Sequence, residues 1–341
     1  MATVTIRDVA KRAGVGIGTV SRVLNDSPLV SDETRQRVQQ AIEALDYSPS
    51  SVARRLSRGR SMAIAVIAPF FVRRSYIERL RGIENVLAAS GYDLILYNVE
   101  TIARRDACLQ SLPRGERLDG LLVLSLAPTD SEVNRLLRSD VPTVLVDAFH
   151  EALPTITVDD VAGARTAVQH LIDLGHERIA YIGENLDDNP FNFQPMIDRY
   201  RGYRDALAAA DIPFRPQYHC QGKYGWREAH RMAQSLFALD EPPTAIFAYS
   251  DTLAFGVLEA AQHSALSVPS QLSVIGFDDV EIAQYFQLTT VRQPLYESGA
   301  RGAELLLEQI DSDAGRPVQH VVLPTELVVR RTTAPPAESL L

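Results

Sequence analysis

Apolar residues recur at helical spacing in three short segments at the start of the chain. The first segment follows Thr5, has Asp8 at its third position in a capping-box arrangement, and ends at Gly14. Its apolar face consists of Ile6, Val9, Ala10 and Ala13. The pattern predicts an N-terminal helix that buries one side and ends at a glycine.

A second helix is predicted from about Ile17 to Leu24. Its buried side consists of Val20, Val23 and Leu24. Gly18 and Arg22, one helical turn apart, lie on the other side. A second helix that follows the first after a tight turn is typical of a helix-turn-helix, and its exposed face is the one that would enter a major groove.

A third helix begins at the Ser31 cap. Asp32 and Glu33 lie in its first turn, where acidic side chains stabilise a helix N-terminus. The residues that close the small core are Val38, Ala41, Ile42 and Leu45. Residues 1–47 are therefore expected to form an all-α DNA-binding headpiece.

From Met62 onward, apolar runs typical of strands alternate with helical stretches. The runs are Met62–Ala68, Tyr92–Tyr97, Asp119–Leu124, Thr143–Val146, Arg178–Ile182, Tyr218–Cys220, Ala245–Ala248 and Val274–Gly276. The helices in the second half lie near Val161–Leu174, Arg199–Ala210, Trp226–Phe237 and Leu253–Gln262. Such alternation predicts parallel sheets covered by helices on both faces, here in two α/β lobes.

The stretch TIRDVAKRAGVGIGTVSRVLN, residues 5–25, resembles the helix-turn-helix of the LacI/GalR (lactose-repressor) family of bacterial transcription regulators. The resemblance extends from about Thr3 to Arg331. It implies DNA contacts from the headpiece at Thr5, Gly16, Ile17, Gly18, Thr19, Ser21, Arg22, Asn25, Val30 and Ser31. Gly16 stands where the family usually has Ser, and Gly18 replaces a larger base-reading residue, so base reading is expected mainly from Ile17 and Arg22.

Residues 48–60 resemble the hinge helix and linker of the same family. Val52, Ala53 and Leu56 form an apolar stripe on a helix too short to be stable alone in water. We expect two such hinges to fold together in a minor groove, with Leu56 wedged between base steps. The contacts expected from this segment are Ser50, Ala53, Arg54, Arg55 and Leu56.

Charge is divided unevenly along the chain. The first 60 residues contain ten Lys and Arg against six Asp and Glu, a balance of +4, whereas the remaining residues carry a balance of −13 within the total of −9. DNA binding is therefore expected only from the basic N-terminal end, and it should be strongly salt dependent.

In residues 61–331 the family resembles periplasmic sugar-binding proteins, which implies a two-lobed core. The N-lobe is expected at about 61–160 and 292–322, and the C-lobe at about 161–291 and 323–331. The chain is expected to return to the N-lobe near Val291–Ile310. The last ten residues, 332–341, are rich in Pro and Ala and are expected to form a flexible tail.

Ligands of open α/β sheets bind beyond the carboxyl ends of the strands, which singles out the residues just after each apolar run. In the N-lobe these are Phe70, Phe71, Ser75, Tyr76 and Asp147. In the C-lobe the resemblance implies effector contacts from Arg199, Tyr224, Ser250, Asp251 and Asp278, with Gly202 packed behind Arg199. Asp160 and Ser250 replace commoner Asn residues of the family.

Plainer interpretations stay open for several of these residues. Asp251 is as compatible with a helix cap as with a ligand contact, and Phe70, Phe71 and Tyr76 are compatible with packing between the lobes. Aromatic rings combined with carboxylates and a guanidinium favour a sugar effector over a purine or nucleoside corepressor. Whether the effector releases DNA or promotes its binding is left open.

Other classes of protein fit the sequence less well. The string from Gly14 to Gly18 lacks the spacing of a dinucleotide loop and follows a helix, and neither a phosphate-binding loop nor a catalytic triad is recognisable, so a sugar-transforming enzyme is disfavoured. A secreted sugar-binding protein is disfavoured because neither a signal peptide nor a membrane-spanning run is present.

The expectation is a cytoplasmic protein, associated with the nucleoid when bound to DNA. We expect a homodimer on a palindromic operator in double-stranded DNA, with no cofactor and no metal. The seven His residues are scattered and suggest no zinc site, and Cys108 and Cys220 are expected to be buried free thiols.

Overall fold

The computed structural model describes residues 4–24, 27–47, 60–114, 118–139, 141–312 and 317–337. The chain forms two compact units, Met1–Met62 and Ala63–Leu341. Within the described residues, no helix combines the length and the apolar character needed to cross a membrane.

The first unit contains α1 (Ile6–Ala13), α2 (Ile17–Leu24) and α3 (Asp32–Ala44). Gly14 ends α1 in a left-handed conformation, with a φ of 65° that glycine adopts without strain. The buried core consists of Val9, Ala10, Ala13, Val20, Val23, Val38, Ala41 and Tyr47. The apolar faces read from the sequence thus meet in one cluster, and Tyr47 is an addition to it.

The N-lobe of the second unit is a six-stranded parallel sheet. Its strands are β1 (Ala63–Pro69), β2 (Asp93–Val99), β3 (Gly120–Leu124), β4 (Thr143–Val146), β5 (Thr155–Val158) and β11 (His320–Leu323), in the order β11-β5-β4-β3-β1-β2. Its helices are α4 (Arg74–Ala89), α5 (Ile102–Ser111), α6 (Asp130–Leu137) and α12 (Leu295–Ile310).

The C-lobe sheet is parallel except at one edge. Its strands are β6 (Ile179–Glu184), β7 (His219–Gly222), β8 (Ala245–Ala248), β9 (Ser273–Asp278), β10 (Thr289–Arg292) and β12 (Glu326–Val328), in the order β12-β10-β9-β8-β6-β7, with β12 antiparallel to β10. Its helices are α7 (Asp160–Asp173), α8 (Gln194–Ala209), α9 (Trp226–Phe237), α10 (Asp251–His263) and α11 (Ile282–Tyr285). The expected fold, a helical headpiece and two α/β lobes with parallel sheets, is confirmed.

The chain passes between the two lobes three times: after β5, after β10 and after β11. The second passage leads into α12, which packs along α4 of the N-lobe. Because parallel strands end at the same edge of each sheet, these passages place the carboxyl ends of both sheets around one cleft.

Both cysteines are free thiols. Cys108 is buried and Cys220 is partly buried, so the expectation of burial holds fully only for Cys108. Burial raises the pKa of each thiol, which makes the reactive thiolate form scarcer.

The expectation of a flexible tail from residue 332 is wrong at its start. Thr332 is buried, its hydroxyl donates to the carbonyl of Val274 at 2.7 Å, and the same oxygen accepts the Thr289 N–H at 2.8 Å. Two residues on, the carbonyl of Ala334 accepts from Ser273 at 2.9 Å and lies 2.9 Å from His176 Nε2. Composition suggested a tail, but these backbone and hydroxyl groups satisfy the ends of β9 and β10.

We predict that Thr332→Val lowers the free energy of unfolding by about 1–3 kcal/mol, because the Thr289 N–H loses its acceptor inside the protein. Urea unfolding of the two proteins measures the difference. Thr166→Val is the matched control: its hydroxyl is on the exposed side of α7, and the change should stay within about 0.5 kcal/mol. Equal losses in the two variants would contradict the assigned role of Thr332.

Candidate functional site

The outward surface of α2 is the candidate DNA-reading surface. Ile17 is 46% exposed although it is apolar, and Gly18 and Arg22 are also exposed. Thr19 and Ser21 are partly buried, as expected for flanks of the same helix. Gly18 and Arg22 therefore lie on the side of α2 opposite the buried Val20 and Val23, and Ile17 is exposed at the first position of the helix.

Several expected DNA contacts also serve the helix termini. The Thr5 hydroxyl and backbone N–H both donate to the Asp8 carboxylate, at 2.7 and 2.9 Å, and these bonds lower the pKa of Asp8. The carbonyl of Gly16 accepts from the N–H of Thr19 at 2.9 Å, which places Gly16 at the cap of α2 with no side chain to offer.

Ser31 accepts the Thr34 N–H at 3.4 Å, and Val30 is partly buried beside it. Six of the expected contacts, five of them in the predicted hinge, lie outside the described residues: Asn25, Ser50, Ala53, Arg54, Arg55 and Leu56.

The second candidate site is the cleft between the lobes of the second unit. Of the residues singled out from the sequence, the structure brings together seven around one cavity: Ser75, Tyr76, Asp147, Arg199, Tyr224, Ser250 and Asp278. They come from both lobes, and most stand at or just after the carboxyl end of a strand, where ligands of such sheets bind.

Three expected contacts lie elsewhere. Phe70 packs edge-on against Phe191 at 5.7 Å and lines an outer cavity at the cleft mouth, whereas Phe71 lines neither cavity. Asp251 is fully buried and accepts from the Val280 N–H at 2.9 Å and from a threonine hydroxyl on β10 at 2.5 Å. Its carboxylate therefore fastens the loop after β9 rather than facing the cleft.

The cavity also contains residues that the sequence did not single out: Arg73, Arg79, Ser125, Phe193, Pro195, Tyr249 and Gln293. Ser125, Tyr249 and Gln293 directly follow β3, β8 and β10. The ends of β3 and β8 were predicted correctly, so the rule about strand ends already pointed to Ser125 and Tyr249, whereas β10 was not predicted as a strand. Arg73 caps the start of α4 and Arg79 lies in its second turn, and neither carries a comparable signal.

Arg199 is the centre of the C-lobe side of the cleft. Its guanidinium donates to Asp160 at 2.7 Å, to Asp278 at 3.3 Å and to the carbonyl of Tyr249 at 2.9 Å. Behind it on α8, Gly202 lies so close to the backbone of α7 that a Cβ would collide with the carbonyl of Val161. The close helix packing expected at Gly202 therefore brings Arg199 within reach of Asp160, which begins α7.

A chain of hydrogen bonds continues from this centre into the N-lobe. Gln293 donates to Asp278 at 2.6 Å and accepts from Arg79 at 3.2 Å. Arg79 also donates to Asp147 at 2.8 Å, and Asp147 accepts from Ser125 at 2.5 Å. Because Gln293 lies where the chain passes from the C-lobe to the N-lobe, this network joins the two lobes across the cleft floor.

Burial and charge act against each other in this network. Burial opposes the charge of Arg199, but the facing carboxylates of Asp160 and Asp278 outweigh it and raise the pKa of the guanidinium. Burial raises the pKa of Asp160 to about 6 despite Arg199, and it raises the pKa of Asp278 as well. Burial also raises the pKa of Tyr76 to about 12, so its hydroxyl is neutral and able to donate.

Arg73 closes the mouth of the cleft. This N-lobe residue makes a two-pronged ion pair with Glu184 at the end of β6 in the C-lobe, with both N–O distances at 3.0 Å. Its guanidinium also lies 3.9 Å from the ring centroid of Tyr224, a cation–π geometry. The Arg73–Glu184 ion pair therefore links the two lobes at the mouth of the cleft, and the Gln293 network links them at its floor.

The cavity enclosed between these contacts has a volume of about 30 Å³, which suffices for one or two water molecules. An outer cavity of about 670 Å³ lies at the cleft mouth and has the size of a ligand pocket. Arg73, Phe193 and Tyr224 line both cavities, so a movement of Arg73 would join them.

Two polar atoms in the inner cavity are buried without a hydrogen-bond partner among the described residues, Ser250 Oγ and Arg79 Nε. A buried hydroxyl can donate and accept, and a guanidinium N–H can only donate. The inner cavity thus offers both kinds of group to a polar ligand.

The two units match different family descriptions. Residues 5–50 match the bacterial regulatory proteins of the lacI family, and residues 168–333 match a periplasmic binding protein-like domain. Catabolite control protein A of Priestia megaterium is 36% identical over 91% of this chain and 93% of its own length. The chain therefore belongs to the lacI family.

Relatives and solved structures agree along nearly the whole length. The HTH-type transcriptional repressor CytR of Escherichia coli K12 is 34% identical over 96% of both chains. The lac repressor dimer bound to operator and the anti-inducer ONPF has a TM-score of 0.84 at 26% identity and covers 98% of this chain and all of its own. A complex of the regulator CelR with cellobiose has a TM-score of 0.70 at 30% identity, over 96% of this chain and 99% of its own.

These similarities establish the class of activity. Members of the lacI family are DNA-binding transcriptional repressors that respond to small-molecule effectors, and this chain is a transcription regulator rather than an enzyme.

We predict that Asp160→Asn flattens the dependence of stability on pH. In the wild type the folded-state pKa of about 6 exceeds the reference value of 3.8, so the folded protein holds an extra proton between those values. The stabilisation that the raised pKa of Asp160 provides is fully present below pH 3.8 and is lost as the pH rises through about 6. Urea unfolding at a series of pH values measures the slope.

The neighbouring Asp159→Asn is the control for this test, because Asp159 is an exposed helix cap whose role Asn also fills. It should keep the wild-type pH profile. An unchanged slope in Asp160→Asn would contradict the proposed protonation of this carboxylate.

Proposed function

We propose that the protein is a homodimeric repressor whose binding to a palindromic operator is controlled by a sugar in the interlobe cleft. The observation that carries the effector half of this proposal is the cleft itself, where buried charged and hydroxyl groups from both lobes converge beside aromatic rings. The exposed surface of α2 carries the DNA half.

At the DNA end, Ile17 and Arg22 are the proposed base-reading residues. The guanidinium of Arg22 suits the acceptor pair of a guanine edge, and the aliphatic Ile17 suits a thymine methyl group. Gly16 and Gly18 add no side chain to this surface, and no neighbouring atom lies within 4 Å of where their Cβ atoms would be. Their small size thus serves no packing within the headpiece and leaves room on the DNA side.

A surface of the C-lobe supports pairing of two chains. The ring of Phe255 on α10 packs at 4.9 Å from that of Phe286, which is 49% exposed, and the neighbouring Tyr285 is 84% exposed. Exposed aromatic residues that cluster on a folded domain are typical of protein interfaces. A two-fold dimer presents two headpieces, which suits a palindromic site.

The inner cavity supports an effector with many hydroxyl groups. Carboxylates accept from hydroxyls, guanidinium groups donate to them, and the faces of Tyr224 and Phe193 can cover the apolar hydrogens of a sugar ring. A sugar exceeds about 30 Å³, so its entry requires Arg73 to leave Glu184 or the lobes to separate.

This requirement couples effector binding to the arrangement of the lobes. A ligand shifts a conformational equilibrium only by the difference between its affinities for the two states, typically about 1–3 kcal/mol in such systems. We propose that the shift reaches DNA through the hinge predicted at residues 48–60. An inducer and a corepressor differ only in the sign of this coupling.

The outer cavity favours a second candidate effector, a purine or nucleoside. Phe70, Phe191, Phe193 and Tyr224 offer ring faces on which a base could stack. The hydroxyls of a nucleoside's ribose would then occupy the inner, polar part of the cleft.

The effector class is tested by a thermal-shift screen of sugars, nucleosides and nucleobases on the full-length protein. We expect a sugar to raise the melting temperature of the wild type but not that of Asp278→Asn, because the variant replaces the carboxylate that faces the ligand with an uncharged amide. Asp130→Asn is the control, since this carboxylate is 95% exposed on the N-lobe surface and should leave the shift intact. A shift by nucleosides alone would replace the sugar with the second candidate, and no shift by any compound would overturn both.

The DNA half is tested on an operator selected from a pool of random duplexes. We predict that Arg22→Ala weakens binding to that operator by about 1–3 kcal/mol while it weakens binding to random DNA much less. Arg37→Ala removes the same charge from the exposed side of α3 and should leave the ratio of specific to random binding unchanged. Fluorescence anisotropy at fixed salt measures both affinities, and an equal ratio in the two variants would argue against base reading by Arg22.

A further inference from the structure

Helices α9 and α10 pack unusually close together in the C-lobe. At Gly256 of α10, a Cβ would collide with the backbone carbonyl of Trp226, the first residue of α9. Only glycine permits this approach without a shift of one helix. Residues one to two turns further along the two helices are therefore brought face to face.

Those residues are His230 on α9 and Glu259 and His263 on α10. Glu259 and His263 are four residues apart and so share one side of their helix. The Nδ1 atom of His230 lies 3.2 Å from a carboxylate oxygen of Glu259, and one donor atom from each of the three side chains lies within 4.8 Å of the other two. The two imidazole rings stand 5.2 Å apart at an angle of 67°.

The orientation of these atoms is not that of an ordinary ion pair. His230 Nδ1 and Glu259 Oε2 are buried and have no hydrogen-bond partner among the described residues, although they are only 3.2 Å apart. The buried His176 shows the usual arrangement, in which both ring nitrogens face hydroxyl or carbonyl oxygens at 2.9–3.1 Å. Both atoms are therefore available to bind a third atom placed between them.

We propose that His230, Glu259 and His263 bind a divalent transition-metal ion of the zinc class. Bonds of about 2.0–2.1 Å in a tetrahedral site set the ligand atoms about 3.3 Å apart, close to the distance between His230 and Glu259. Two imidazoles and a carboxylate suit zinc rather than magnesium or calcium, which prefer oxygen ligands alone. His263 is exposed at the end of α10, so its side chain can turn toward the ion.

The site has three protein ligands and a fourth position open to water. The ion would join α9 to α10 beyond their closest approach, outside the effector cleft. It would therefore stabilise the C-lobe by the free energy of metal binding, without contact with the effector.

The test uses tag-free, full-length protein and a chromophoric zinc chelator as competitor. We expect the wild type to bind one Zn²⁺ per chain. His230→Ala and His263→Ala should each weaken binding by at least about tenfold, since loss of a direct ligand costs no less than loss of an outer-shell partner. His150→Ala is the matched control: His150 Nε2 lies 3.1 Å from Asp130 Oδ1, a similar pair that lacks a third donor among the described residues, and it should bind as the wild type does.

A second measurement reports the coordination itself. Co²⁺ added in place of Zn²⁺ should give the visible absorption bands of a tetrahedral site in the wild type and in His150→Ala, and not in His263→Ala. Because His263 is exposed, this variant should unfold at the wild-type temperature when no metal is present. Wild-type zinc affinity in both His230→Ala and His263→Ala, or the absence of any stoichiometric zinc binding, would overturn the proposal.

Discussion

The fold of the second unit depends on keeping one buried cation, Arg199, compensated. An isolated guanidinium in a dry interior costs many kcal/mol, so it is tolerated only with carboxylates in contact and its remaining N–H groups bonded. Asp160 and Asp278 supply the charge and the Tyr249 carbonyl supplies a further acceptor. Asp160 begins α7, Asp278 ends β9 and Tyr249 directly follows β8. The compensation of a single side chain therefore fixes the positions of three elements of the C-lobe.

The hydrogen-bond network around Arg199 extends into the N-lobe through the side-chain amide of Gln293. Gln293 is uncharged, donates to Asp278 and accepts from Arg79, so it links an anionic group of one lobe to a cationic group of the other. A ligand that takes a hydrogen bond from any member of this chain changes what the next member must satisfy. The network that would bind the ligand is therefore the same one that holds the two lobes together. Allosteric control requires such a coupling between ligand binding and the arrangement of the lobes.

The sequence predicted features that depend on local pattern and missed those that depend on three-dimensional proximity. The periodicity placed α2 at Ile17–Leu24 and the long buried strands within one or two residues, because an amphipathic helix and a buried strand each have a period of their own. Strands β5, β10, β11 and β12 were not predicted, because their three or four residues include polar ones, whereas the equally short β4 and β8 are almost continuous apolar runs. Arg73 and His230 were not singled out because their partners, Glu184 and Glu259, are distant in sequence. Asp251 was left open between a ligand contact and a helix cap, because a carboxylate after a strand looks the same in sequence whether it faces a ligand or a loop.

Charged groups of both signs surround the inner cavity. Arg79 and Arg199 face three carboxylates, Asp147, Asp160 and Asp278, and Arg73 is already matched by Glu184. Asp160 and Glu184 lie beside the inner cavity without lining it, and only with them counted do the carboxylates outnumber the cations, four to three. Burial raises the pKa of Asp160 and of Asp278. The charged groups that line the cavity itself are the guanidinium groups of Arg73, Arg79 and Arg199 and the carboxylates of Asp147 and Asp278. Hydroxyl groups find both acceptors and donors there, because a carboxylate accepts from a hydroxyl and a guanidinium donates to one.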